Sequence, residues 1–436
     1  MGIVKKILHL ILMFVFIVSN GQASNDTVFF SGQPFVKHVV DTGQSLSKIA
    51  KIYNVTTDQI KNSNELGSKL FYQQLLYIPI YLSNTTSIAD SIDNLIDTIQ
   101  NLKPAKVALI LPYYLKENDS ILNLTSDSNY FSNKFYSKSS RALSFHLGVE
   151  LAIDSLEKSG KKVDLKVFDS NQDSTEVFNL IESNRLSVFD VIIGPIYSDL
   201  FSILCKKYGN DTTKILISPL SRISNNIKYP SVRKIALTDN SQTKVMFDYI
   251  VKTKFEKDII ILRDEKNVQL STDLTKKFNS VNKLVRNMKI EDYSEIYSDY
   301  DSIPDQVIIV LSKNKASITR LLSKISSIGV PNSIFTFESV HNYSNLDVNM
   351  LVKLNLHFPH SRLIDLKNIY DLNFLKNYEE KYKTNVFGYT KTGYDIIMHF
   401  FGDSDIFRFK EEKNGYKENV FVPLFNLSDY EFNRLN

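Results

Sequence analysis

Between residues 105 and 340 the apolar and polar positions change period in a regular way. Solid apolar runs of strand length recur at Val107-Ala108-Leu109-Ile110-Leu111, Val191-Ile192-Ile193, Ile215-Leu216-Ile217, Ile259-Ile260-Ile261-Leu262 and Val307-Ile308-Ile309-Val310-Leu311. A run that is apolar on both sides is a strand buried on both faces, as in a parallel sheet covered by helices. The intervening stretches carry helical spacing. Ala142 to Leu156 presents Leu143, Leu147, Leu151 and Ile153, and a shorter stretch presents Val177, Leu180 and Ile181. Further helices are predicted from Ser198, over 241–253 and over 315–328, and further strands at Leu165–Phe168 and Ile334–Phe337. This is βαβ repetition. The series runs twice, which predicts two α/β lobes of similar build with a cleft between them as the natural binding site.

A different pattern precedes it. His38-Val39-Val40 reads as a short strand and Asp41-Thr42-Gly43 as a turn. Ser45 is placed to cap a helix with the stripe Leu46, Ile49, Ala50 and Tyr53. A second helix starts at Thr56 with Gln59 completing a capping box, carries Ile60 inward and reaches Asn64. Leu75-Leu76-Tyr77-Ile78-Pro79 closes the unit as a strand. This small α+β arrangement, β-α-α-β, resembles a LysM domain over 34–81, on His38-Val39-Val40, Gly43, Ser45 to Ala50, Tyr53, Val55, Ile60 to Asn64, and Leu76 to Pro79. Gln44 stands where the family has an acidic residue, and Gln73 where it has a turn glycine. The resemblance implies binding of N-acetylglucosamine-containing glycan, chiefly peptidoglycan, in a groove lined by Thr42, Gly43, Gln44, Ser45, Leu46, Asn64 and Leu70. The alternative is a LysM fold kept only as a spacer.

Residues 1–23 read as an export signal: Lys5 and Lys6, the apolar run Ile7 to Val18, then Gly21-Gln22-Ala23. That run is short for a membrane span, and no later stretch is longer and as apolar. The expected location is therefore periplasmic, without a transmembrane segment once the signal is removed. Residues 82–104 form a polar linker followed by an amphipathic repeat, Ile88, Ile92, Leu95, Ile96, Ile99 and Leu102. It reads as a helix lying on one of the domains or as a self-association helix.

Residues 105–436 resemble the type I periplasmic-binding-protein family, the bilobal receptors related to amino-acid-binding proteins of ABC importers. The likeness rests on Gly148 to Leu156, Val167 to Ser170, Val191 to Ser198 with its Gly194-Pro195 turn, Ile217 to Ser221, and Phe387-Gly388-Tyr389 with Gly393-Tyr394-Asp395. The pairing with a LysM unit looks like Bacteroidetes-type proteins. The resemblance implies a cleft ligand, amino-acid-like, or an envelope protein partner. Tyr197, Ser198, Ser218, Ser221 and Glu338 are the candidate cleft residues. Each has a plainer role available: capping for the serines, packing for Tyr197, solvation for Glu338. One departure is a polar, aromatic-dotted insertion from Tyr114 to Lys138.

Composition removes several classes. The net charge of +4 falls by two, to +2, without Lys5 and Lys6, too little for nucleic acid. Cys205 is the single cysteine, so no internal disulfide forms. Nucleophile elbow, phosphate loop and His-Glu-x-x-His motifs are absent, which predicts no enzyme, no cofactor and no metal. The close pair His357-Phe358-Pro359-His360 reads as a loop, since Pro359 rules out a helix.

Overall fold

The computed structural model of the protein describes residues 27–30, 33–41, 44–64, 66, 70–71, 73–80, 104–125, 135–222, 228–294, 306–329, 332–412 and 415–436. The expected export signal, Thr42, Gly43 and all of the connector except Pro104 lie outside the described residues. The chain divides into two compact units, residues 1–102 with 157–160 and residues 103–156 with 161–436.

In the first unit, β1 (Thr27–Phe30), β2 (Gln33–Val39) and β3 (Leu75–Pro79) form a sheet with β2 central and both neighbours antiparallel to it. Helices α1 (Leu46–Ile52) and α2 (Thr57–Asn64) lie between β2 and β3 in sequence. Strand β1 precedes the predicted elements and adds an edge to them. Alternate residues of the strands, Val36, Leu76 and Ile78, meet Ile49, Ala50 and Ile60 of the helices in one core. Both predicted caps form. The Ser45 hydroxyl accepts from the Lys48 amide, and Thr56 and Gln59 each accept the other's backbone N–H. Gln73 has φ of 62°, and its N–H donates to the Val40 carbonyl at 2.8 Å. That left-handed turn is where a glycine is easiest.

The second unit contains two seven-stranded sheets. The first runs in the order β14-β15-β8-β7-β6-β4-β5. Its members are β4 (Ala105–Leu111), β5 (Val163–Asp169), β6 (Val191–Ile193), β7 (Ile215–Ser218), β8 (Val232–Lys234), β14 (Phe409–Glu411) and β15 (Lys417–Asn419). The second runs β10-β9-β11-β12-β13-β16-β17. It is built from β9 (Asp258–Arg263), β10 (Val285–Lys289), β11 (Gln306–Leu311), β12 (Asn332–Thr336), β13 (Leu356–Pro359), β16 (Leu424–Ser428) and β17 (Glu431–Arg434). Alternation along each strand splits the core into two layers per sheet. Val107, Leu109 and Leu111 face helices α4 (Ser140–Lys158), α11 (Ile369–Tyr382) and α12 (Thr390–Phe401), while Ala108 and Ile110 face α5 (Ser174–Glu182) and α6 (Ser198–Tyr208). In the second sheet Ile259 and Ile261 meet α7 (Asp239–Thr253) and α8 (Val268–Ser280), and Ile260 and Leu262 share a layer with α9 (Lys315–Ile328) and α10 (Val348–Lys353).

Two successive runs are only part of the topology. The chain leaves the first sheet after β8, returns after β13 to lay α11 and α12 on the first sheet, and crosses again between β15 and β16. Strands β14, β15 and β17 are short and charged, so no apolar run marks them. One local expectation is corrected. His357 to Pro359 lies in β13 rather than in a loop, with His357 buried and stacked on Phe335 at 4.4 Å. The insertion opens with a helix, α3 (Leu115–Thr125). Asn118 donates to the carbonyls of Tyr113 and Tyr114 and accepts from the Tyr136 amide, which closes the base of the insertion. Residues 126–134 lie outside the described residues.

Helices α4 and α12 touch backbone to backbone. A Cβ on Gly148 would stand 1.9 Å from the Thr390 carbonyl oxygen, and one on Gly393 would stand 2.2 Å from that of Phe145. No rotamer change relieves either clash. G393A is expected to cost about 3 kcal/mol in urea unfolding, and an unchanged midpoint would disprove the tight crossing. At the Gln73 turn the opposite sign is expected. Q73G removes a strained Cβ and should slow hydrogen exchange of the β3 amides by roughly two- to fivefold, about 0.5–1 kcal/mol.

Candidate functional site

Glu338 begins the turn after β12 in the second lobe and is 2% exposed. Its backbone N–H donates to Gln242 Oε1 of α7 at 2.8 Å, which fixes the turn. Its carboxylate collects donors from several parts of the chain. Arg222 Nη2, from the segment after β7 in the first lobe, lies 2.5 Å from Oε2. Ser361 donates to Oε1 at 3.1 Å, and Arg362 Nη2 and His360 Nε2 stand 3.9 and 4.0 Å from the same oxygen. His360 Nδ1 accepts from the N–H groups of Arg362 and Leu363, so its proton resides on Nε2. Burial pushes the His360 pKa well below its ordinary value, with the charges of His341 and Arg362 acting in the same direction. The ring is therefore neutral, and the arginines supply the positive charge that a buried carboxylate requires.

A cavity of about 50 Å³ adjoins this group, lined by Leu220 and Arg222 of the first lobe, Glu338 and Ser361 of the second, and Tyr389 and Asp395. Arg362 stacks on the Tyr389 ring with 4.6 Å to its centroid and donates to the Gly388 carbonyl at 3.1 Å. Asp395 belongs to a second buried cluster. Lys391 Nζ lies 2.6 and 2.7 Å from its two oxygens and 3.0 Å from Asp371, and the Tyr370 hydroxyl donates to it at 2.9 Å. Burial raises the Asp395 pKa to about 6 against the pull of Lys391. Burial also opposes the charge on Lys391, but Asp371 and Asp395 raise its pKa above the ordinary value. The cavity thus offers guanidinium groups to an anion and carboxylates to a cation, and both lobes contribute.

Of the predicted cleft residues, Glu338 alone lines this cavity. Ser218, buried at the end of β7, and Ser221 belong to the turn whose Pro219, Leu220 and Arg222 do. Tyr197 and Ser198 follow the cis Gly194-Pro195 turn at the start of α6. Tyr197 holds the N-cap position without a side-chain cap bond and packs against both layers of the first lobe, and Ser198 is the first helical residue. Arg222, Arg362 and Asp395 were missed. Two of them adjoin motifs that were noticed: Arg222 directly follows Ile217 to Ser221, and Asp395 ends Gly393-Tyr394-Asp395. Nothing in local spacing pairs Arg222 with a glutamate more than a hundred residues away.

In the small unit, Gln44 Oε1 accepts from the Asp41 N–H at 3.1 Å and meets His38 Nε2 at 2.8 Å, while His38 Nδ1 meets the Tyr53 hydroxyl at 2.9 Å. An acceptor suffices at position 44, and a neutral amide supplies it. Ser45 is occupied as the cap of α1. Leu46 and Leu70 pack against the core. Asn64 is held on both sides: its amide donates to the Ile60 and Tyr77 carbonyls and its oxygen accepts from the Tyr77 N–H. Phe71, which sequence reasoning passed over, is 70% exposed just ahead of β3, and its N–H donates to Gln74 Oε1.

Residues 38–79 match the LysM domain, and residues 146–401 match the receptor family ligand binding region. A solved structure assigned to a branched-chain amino acid ABC transporter of Rhodospirillum rubrum is similar at a TM-score of 0.58 and 11% identity, covering 76% of this chain and all of that one. An ABC transporter substrate-binding protein from Desulfitobacterium hafniense, in complex with Leu, gives 0.50 at 13% identity with 76% and 100% covered. Full-length LpoA from Haemophilus influenzae gives 0.50 at 9% identity, with 76% of this chain and 59% of that chain covered. At these identities the likeness is one of fold: a β-α-α-β LysM region followed by a bilobal α/β domain of periplasmic-binding-protein type. No curated protein matches the chain. With more than half of its 436 residues matched, the chain belongs to the receptor ligand-binding-region family, and it carries a LysM domain ahead of that region.

Proposed function

We propose that this is a non-enzymatic periplasmic protein held on the cell wall by its LysM domain, with a bilobal domain that binds a small amino-acid-like ligand or an envelope protein partner. The observation that carries the reading is the cavity at Glu338, where groups of opposite charge from both lobes converge. A ligand that prefers the closed arrangement would shift the domain toward it by hinge motion at the three crossings. The LysM unit supports the tether with an exposed aromatic ring on which a sugar face can stack, Phe71, next in sequence to the predicted groove residue Leu70. The joining of the two domains is the arrangement that the sequence resemblance associates with Bacteroidetes-type proteins.

A second reading is favoured by the size of the cavity. At about 50 Å³ it has room for a few water-sized groups, since one water needs roughly 10–15 Å³. That suits a scaffold or regulator of envelope assembly that works through its outer surface. An importer receptor fits less well, because a wall tether restricts travel to a permease.

The tether is tested by sedimentation with purified peptidoglycan. Full-length protein is expected in the pellet, a chain lacking residues 24–81 in the supernatant, and F71A between the two, with roughly a tenfold loss of affinity. Equal retention of all three sinks the tether. The cleft is tested by thermal shift with amino acids and muropeptides. A ligand at a hundredfold excess over its Kd adds about 2.7 kcal/mol of stability, whereas a flat panel selects the scaffold.

A further inference from the structure

We infer that Arg222 is an internal ligand of the interlobe cleft: its guanidinium fills a cation subsite formed by Glu338, and the intact protein therefore excludes guanidinium and alkylammonium compounds from that position. The inference rests on reading the interlobe cleft as the binding site of the domain.

The two partners are unequal. The Glu338 side chain is 2% exposed, its backbone is fixed by donation to Gln242, and its carboxylate accepts from Ser361. The Arg222 side chain is 38% exposed and lines the cavity, so it reaches Glu338 from the side on which a ligand would enter. Its backbone is fixed as well, because the buried Lys234 donates to the Arg222 carbonyl at 3.0 Å. The other groups facing the carboxylate do not replace it. Arg362 Nη2 stands 3.9 Å away while its Nη1 donates to the Gly388 carbonyl and its guanidinium lies over the Tyr389 ring, and His360 is neutral at 4.0 Å. The Nε2 atom of His360 and the Nε2 atom of Gln242 are both buried without hydrogen-bond partners. Among the described residues, Glu338 therefore relies on Arg222 for its one close charged contact, at Oε2. A buried carboxylate that loses such a partner is strongly penalised. The vacated space would match a planar guanidinium donor, the chemistry that Arg222 now presents.

The test is chemical rescue, with methylguanidine and agmatine as probes at about 10 mM, far below the molar range in which guanidinium salts denature. Matched sodium chloride serves as the control. R222A is expected to melt roughly 5 °C below the wild type and to regain at least half of that loss with either probe. The wild type should not respond, and R222A/E338Q should show no rescue. R222Q carries the same test should R222A fail to fold. A saturable rise in the wild-type melting temperature with methylguanidine overturns the inference, because the subsite would then be open. R222A that ignores both probes overturns it too. If the wild type responds to members of the amino-acid and muropeptide panel while R222A ignores the probes, the inference fails and the cleft reading stands.

Discussion

A buried carboxylate has to be answered by nearby charge, and at Glu338 the answer comes from another lobe. The second sheet supplies the glutamate, the first sheet supplies Arg222, and the return segment after β13 supplies Ser361 and Arg362. Hydrophobic burial builds each lobe by itself. It does not say how the lobes meet. The Arg222–Glu338 contact joins them at this point, and breaking it would leave the buried carboxylate without its close charged partner. The neighbouring Lys391–Asp371–Asp395 group works within one lobe, and it stiffens the wall from which Asp395 reaches the cavity.

The sheets were legible because their central strands are solid apolar runs of strand length bounded by polar stretches. The first layer of helices was legible for the same reason. What escaped was the part of the fold that depends on distant partners. Strands β14, β15 and β17 are short and charged enough to pass for loops, and they become strands only because a sheet edge accepts them. His357 lies in the same class, since its stack on Phe335 follows from the pairing of β12 with β13. The site divides along the same line: Glu338 could be picked out as an acid beyond a strand, whereas Arg222 gains its meaning only through a contact across the cleft.

The small unit illustrates how a departure from a family pattern can be chemically neutral at one position and costly at another. At Gln44 the turn needs a hydrogen-bond acceptor, and an amide oxygen serves as well as a carboxylate. At Gln73 the backbone needs a positive φ, which no side-chain chemistry can supply. Of the predicted groove residues, Asn64 is consumed by Ile60 and Tyr77, whereas Phe71, outside that set, is left available.

The crossing of α4 and α12 has a bearing on the order in which the molecule can be assembled. Gly148 and Gly393 are separated by more than half of the sequence, yet each is shaped to the backbone of the other's helix. The first layer of the first lobe draws on Val107 and on Phe407 alike, and its sheet acquires its last strand only at residues 417–419. A chain emerging from its amino terminus can complete the LysM unit early, but the first lobe must wait, with apolar surface uncovered, until almost the last residue has appeared. Closure of that lobe is thus a late, long-range event, and during the wait the chain is at its most vulnerable to aggregation and to proteolysis.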